Sequence, residues 1–271
     1  MSSRIAFIGG GNMAASLIGG LLAAGRAAQD IRVAEIGAER REWLQRRFGI
    51  AVFERPGDAI AQADAVVLAV KPQQMREALA GLRPAAGTLV VSIAAGLRLA
   101  SLERWLGPGL HYVRSMPNTP ALLGAGISGL YAAPGTPAEV LGLAESILAA
   151  AGECVWLDDE SQMDAVTALS GSGPAYYFAL TEALRDAGTA LGLAPETAAR
   201  LARQTFIGAA RMADGEDDVA ELRARVTSRG GTTEAALQRL QSGGLDALLK
   251  DALGAAAQRG AELGSTLDPE L

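Results

Sequence analysis

The chain has 271 residues, 49% hydrophobic and 20% charged, enough apolar material for one large domain or two ordinary ones. Its net charge of −6, with arginines scattered rather than clustered, argues against nucleic acid or an anionic membrane as the main partner. One cysteine, Cys154, and one histidine, His111, exclude an internal disulfide framework, fit a reducing, cytoplasmic compartment, and leave no metal site of the usual ligand spacing.

Taken in chain order, strands are predicted at 4–8, 31–35, 52–53, 65–70, 89–93, 111–114, 127–131 and 155–157. Helices are predicted between them at 13–24, 38–48, 73–82, 99–106 and 137–151. Short apolar strands without alternation, separated by helices, indicate a mostly parallel sheet covered on both faces. The acidic run Asp158-Asp159-Glu160 ends this pattern. Beyond it come only helices, at 163–169, 174–191, 195–213, 217–225, 232–241 and 245–263, several opening on Pro or Thr. The expected fold class is α/β: a Rossmann-like dinucleotide-binding domain over 1–160, followed by an all-helical domain over 161–271. The Ala-, Leu- and Gly-rich helices of that second half suit a subunit interface. Two charge-free stretches, 5–25 and 115–138, are broken by glycines and prolines, so neither reads as a membrane span.

The first strand runs into Gly9-Gly10-Gly11-Asn12-Met13-Ala14, with the spacing G-x-G-x-x-A. Gly9 permits a tight turn, Gly11 lets backbone approach a pyrophosphate, and Ala14 allows the helix to pack closely on the strand. Glu35, at the end of the second strand, is placed to accept hydrogen bonds from the adenosine ribose of NAD. Arg40 and Arg41 lie one turn further and offer a 2′-phosphate site, so the choice between NADH and NADPH stays open. Ala69-Val70-Lys71-Pro72 and Ile93-Ala94-Ala95 follow the next two buried strands, where such sheets bind ligands. Asn118, in the stiff loop between Pro117 and Pro120, either bridges backbone groups or touches the nicotinamide.

Two glycine-loosened segments stand out in the helical half. Ser170-Gly171-Ser172-Gly173-Pro174 and Ser228-Arg229-Gly230-Gly231-Thr232-Thr233 each read as a turn opening a helix. Unpaired N–H groups and hydroxyls at such a place make a cradle for a carboxylate.

Together these residues resemble the pyrroline-5-carboxylate reductase family. The resemblance rests on Phe7-Ile8-Gly9-Gly10-Gly11-Asn12-Met13-Ala14, Ala69-Val70-Lys71-Pro72, Met116-Pro117-Asn118-Thr119-Pro120, the run from Asp164 to Tyr176, and Val226 to Thr233. It covers essentially the whole chain, and the run from Asp164 is its most specific part. It implies hydride transfer from NADH or NADPH to the C=N carbon of 1-pyrroline-5-carboxylate, giving L-proline. A homodimer joined through the helical half is implied too, with dimers gathered into decamers. By the same resemblance Ser228 to Thr233 hold the substrate carboxylate, the Thr233 hydroxyl meets the ring nitrogen, and Ile8 to Met13, Ala69 to Pro72 and Ile93 to Ala95 contact the dinucleotide. Members favouring NADPH usually carry small or amide residues, sometimes with Arg, where this chain has Glu35-Ile36, which speaks against a strong NADPH preference. Arg229 stands where relatives carry Pro or Lys, a tolerated variation.

A β-hydroxyacid dehydrogenase shares the architecture but needs a general acid or base, usually a lysine on the first long helix of the second domain. Residues 161–192 contain none, and Lys250 lies in the last helix. A non-catalytic dinucleotide sensor would need a damaged substrate loop, and both glycine segments are complete.

Overall fold

Ile5, Ala6, Phe7 and Ile8 are all buried because their strand lies inside a sheet covered on both faces. The computed structural model describes residues 3–268. Strands β1 (Ile5–Ile8), β2 (Ile31–Ala34), β3 (Ala51–Phe53), β4 (Ala65–Leu68), β5 (Leu89–Ser92), β6 (His111–Met116), β7 (Gly126–Ala132) and β8 (Gly152–Trp156) form one sheet in the order β3-β2-β1-β4-β5-β6-β7-β8. Every pairing is parallel except β6 with β7. The strand order reverses between β1 and β4, the topological switch where such sheets bind ligands.

The helices, in order, are α1 (Asn12–Ala23), α2 (Ala38–Phe48), α3 (Pro56–Ile60), α4 (Met75–Leu79), α5 (Leu99–Leu106), α6 (Ala138–Leu148), α7 (Gln162–Val166), α8 (Gly173–Ala190), α9 (Pro195–Ala213), α10 (Val219–Arg225), α11 (Thr232–Ser242) and α12 (Leu245–Leu267). Alternate residues of β1 feed two cores. Ile5 and Phe7 pack with Leu17 and Ile18 of α1 and Ile147 of α6, while Ala6 and Ile8 pack with Met75 of α4 and Leu102 of α5. Burying a large aliphatic side chain contributes about 1.5–3 kcal/mol, so the two layers supply most of the unit's cohesion.

All eight expected strands form, and α2, α5 and α9 span the predicted residues. The helix expected at 73–82 is shorter: Pro72–Gln74 makes a 3₁₀ turn and α4 covers only Met75–Leu79. Pro72 favours this entry because its fixed φ suits a first helical position. The short α3, which starts on Pro56, was not expected.

The chain divides into two compact units, one running to Ser172 and resuming at Ala255, the other Gly173–Gly254. This seam differs from the expected one near 160, because α7 packs on β6 and β7. The second unit, built from α8 to α11 and the start of α12, is entirely helical. Among the described residues, no helix is long and apolar enough to cross a membrane.

Candidate functional site

At the C-terminal ends of β1, β2 and β4 the sheet opens into a cleft of about 770 Å³. Ile8, Gly9 and Gly11 form one wall, with Glu35, Ala69, Val70 and Lys71 around them. Gly9 turns at φ +97°, and a Cβ there would stand 2.8 Å from the Ala69 carbonyl oxygen. Only glycine accepts both conditions. Above Gly11 the space is open, with nothing within 4 Å of a Cβ position. Here α1 begins without a side-chain cap and without an acidic residue in its first turn. Its free N–H groups and dipole favour a negative group at that opening. Ala14, 1% exposed, packs into the core behind the turn, as the motif spacing requires. The residues present therefore fit a dinucleotide pyrophosphate.

Glu35 borders the cleft and is held by backbone. Its two carboxylate oxygens accept the Gly10 N–H at 2.9 Å and the Gly37 N–H at 2.8 Å. Gly10 is not among the residues that wall the cleft, and a Cβ there would collide with Leu44 of α2. Arg40 Nε donates to the Gly10 carbonyl at 2.6 Å, and its guanidinium lies 4.2 Å from the centroid of Trp43. Arg41 Nη1 donates to the carbonyls of Glu35 and Ile36 at 2.7 and 2.8 Å. The motif residues Asn12, exposed, and Met13, half-buried, occupy the first turn of α1.

Pro72 and the segment Ile93-Ala94-Ala95 lie beyond the ends of β4 and β5 and are not among the residues that wall the cleft. The Ala94 N–H is turned back onto Ser92 Oγ at 3.3 Å. Behind this loop Gly96 meets the last helix so closely that a Cβ on Gly264 would stand 2.6 Å from the Gly96 carbonyl oxygen. The spacing Gly260-Ala261-Glu262-Leu263-Gly264 is the sequence signal for that backbone approach.

Asn118 departs from the nicotinamide-contact alternative. Its Oδ1 accepts the Ile127 N–H at 3.0 Å, and its Nδ2 donates to the Ser170 carbonyl at 3.2 Å. The side chain is a bridge between the start of β7 and the segment from Thr167. That segment is not the expected turn: Thr167–Gly171 is a π-helical turn between α7 and α8, with the Ser172 N–H donating to the Thr167 carbonyl at 2.9 Å. Pro174 has no N–H to give the Ser170 carbonyl, and Asn118 takes that acceptor. Ser170 Oγ donates to the Val166 carbonyl at 3.0 Å, and Gly171 lies against Met116, whose Cε would stand 2.6 Å from a Cβ there. Within the segment expected to cradle a carboxylate, Ser170, Gly171, Ser172, Gly173 and Pro174, the Ser170 hydroxyl and the Ser172 N–H thus donate to carbonyls of the preceding turn. Nearby, Arg114, 2% exposed, donates to Glu160 at 2.9 Å. Burial lowers the Arg114 pKa from its usual value, and the Glu160 carboxylate opposes that shift.

In the helical unit, Ser228 to Gly231 form a turn closed by the Gly231 N–H on the Ser228 carbonyl at 3.0 Å. Gly231 caps α11 without a side-chain bond, and among the described residues the N–H groups of Thr232 and Thr233 have no partner. Glu234, which sequence reasoning did not single out, accepts the Gly230 N–H at 2.7 Å and so fixes the turn. Thr233 is half-buried, and its hydroxyl makes no hydrogen bond among the described residues. The arrangement offers an anion two amide N–H groups and a hydroxyl.

Comparison with known proteins joins the two halves. Residues 160–263 match the family profile for pyrroline-5-carboxylate reductase dimerisation, and residues 4–96 match that for NADP oxidoreductase, coenzyme F420-dependent. A pyrroline-5-carboxylate reductase of Pseudomonas aeruginosa is 55% identical over 267 residues, covering 97% of this chain and 98% of its own. A solved pyrroline-5-carboxylate reductase from Coxiella burnetii superposes with a TM-score of 0.88 at 42% identity, over 97% of this chain and 99% of that one. The Plasmodium falciparum pyrroline carboxylate reductase, solved with NADP bound, gives a TM-score of 0.82 at 26% identity, over 97% and 99% of the two chains.

Proposed function

The chain belongs to the pyrroline-5-carboxylate reductase family, and on that premise we propose how its residues carry out the NAD(P)H-dependent reduction of 1-pyrroline-5-carboxylate to L-proline, the last step of proline synthesis. A bound NADH or NADPH supplies the hydride. The α/β unit grips its pyrophosphate at the Gly9-Gly10-Gly11 turn and the start of α1, with Ala69 to Pro72 and Ile93 to Ala95 extending the binding surface. The helical unit holds the substrate. The free N–H groups of Thr232 and Thr233 and the turn from Ser228 to Gly231 take its carboxylate at the positive end of α11.

A cyclic imine must gain hydride at carbon and a proton at nitrogen. Cys154 and His111 lie outside both segments, so no dedicated acid is assigned to either. The imine is basic enough to take its proton from water, and the protein's work is to position and desolvate it. The unengaged Thr233 hydroxyl meets the ring nitrogen, donating to its lone pair in the neutral imine and accepting its N–H once the nitrogen is protonated. The observation that carries this reading is the start of α11, where two unpartnered amides and that hydroxyl share one helix end.

We further assign the molecule as a cytoplasmic homodimer joined through the helical unit, with dimers collected into a decamer. In support, Tyr177, Leu180, Leu184 and Phe206 line a groove of about 670 Å³ in that unit, and the first three are more than half exposed. The assay is direct: the protein is mixed with 1-pyrroline-5-carboxylate and either cofactor, and loss of reduced nicotinamide is matched against proline formed. Equal amounts are expected. No oxidation with either cofactor would overturn the reading.

A further inference from the structure

Resting on the reading that the α/β unit holds a nicotinamide dinucleotide, we infer that Glu35 makes this cleft select a cofactor with a free adenosine 2′-hydroxyl, NADH, over one with a 2′-phosphate, NADPH. Glu35 stands at the end of β2, on the wall of the cleft, and cannot swing away cheaply. One of its oxygens holds the Gly10 N–H and the other the Gly37 N–H, and leaving would orphan both. A carboxylate oxygen has two acceptor sites, so each keeps one for a ribose hydroxyl. A 2′-phosphate in the same place would face a fixed negative charge instead.

The neighbouring arginines do not reverse this. Arg40 is tied to the Gly10 carbonyl and stacked on Trp43. Arg41 is tied to the carbonyls of Glu35 and Ile36, with Glu54 3.6 Å away. Neither is among the residues that wall the cleft, and one of the two terminal Arg40 nitrogens, Nη2, is sealed from solvent. The wall itself carries four carboxylates, Glu35, Glu54, Asp58 and Glu77, against two cations, Arg55 and Lys71. Arg55 is already paired with Asp58 at 3.0 Å. A phosphate monoester adds close to two further negative charges at pH 7, which this wall repels.

The test is calorimetric titration of the full-length protein with ADP-ribose and with 2′-phospho-ADP-ribose, fragments that carry no hydride and so report binding apart from turnover. Wild type is expected to bind ADP-ribose roughly 10- to 100-fold more tightly, the range set by losing a hydrogen bond to a charged group. Glu35→Ser should bring the ratio close to one or invert it. Glu35→Gln keeps the shape while removing the charge, and should fall between, even if the serine variant folds poorly. Equal or tighter binding of the 2′-phosphate fragment to wild type would overturn the inference while leaving the dinucleotide reading intact. An unchanged ratio in Glu35→Gln would remove Glu35 as its cause. Failure of both fragments to bind would overturn the inference and the reading beneath it together.

Discussion

Asn118 joins two parts of the α/β unit that nothing in the local sequence connects, and removing it tests that role. Asn118→Ala leaves the Ile127 N–H and the Ser170 carbonyl without their partners at 3.0 and 3.2 Å. Each buried group left unpaired costs about 1–3 kcal/mol, and both sites are only part-buried, so the sum expected is about 2–4 kcal/mol. Urea unfolding followed by circular dichroism should show that loss. Asn118→Asp separates the two bonds: it keeps an acceptor for the Ile127 N–H but turns a carboxylate toward the Ser170 carbonyl. Hydrogen exchange should then accelerate at the Ser172 amide, which closes the π-turn on Thr167. Unfolding of Asn118→Ala within about 0.5 kcal/mol of wild type, the scatter of ordinary surface substitutions, would refute the bridging role.

Other substitutions probe separate parts of the account. Thr233→Ala should leave cofactor binding intact but lower kcat/KM roughly 5- to 150-fold, the equivalent of about 1–3 kcal/mol, in steady-state assays. Gly264→Ala places a methyl against the Gly96 carbonyl, and thermal unfolding should report a destabilisation of about 1–3 kcal/mol. Burial raises the Cys154 thiol from 9.0 to about 11, with Glu145 adding to the shift. Iodoacetamide at pH 8 should therefore modify folded protein roughly 100-fold more slowly than urea-unfolded protein. Because the folded value is the higher one, the linked stability is present below pH 9 and is lost as pH rises toward 11.

The sheet was legible because its strands are short apolar runs between helices. Residues such as Val66, Val67 and Leu68 carry that signal without any knowledge of tertiary contacts. The Gly9 turn was legible for the same local reason. Three features were not. The short helix at Pro56 has one buried pair, Ala59 and Ile60, too few positions to show a period. The π-turn at Thr167 was hidden because glycines at 171 and 173 signal a turn in isolation, while only the partnership of Asn118 with the Ser170 carbonyl shows why the helix continues. The division of roles around Glu35 was hidden because Arg40 and Arg41 look available in sequence; their engagement with backbone carbonyls is a property of the folded β2–α2 connection.

A crystal structure of the protein with L-proline bound puts the substrate assignment to its hardest trial. The carboxylate should lie on the amide groups of Thr232 and Thr233, with the ring nitrogen within hydrogen-bond reach of the Thr233 hydroxyl. Proline found elsewhere, with the start of α11 holding only solvent, would contradict it.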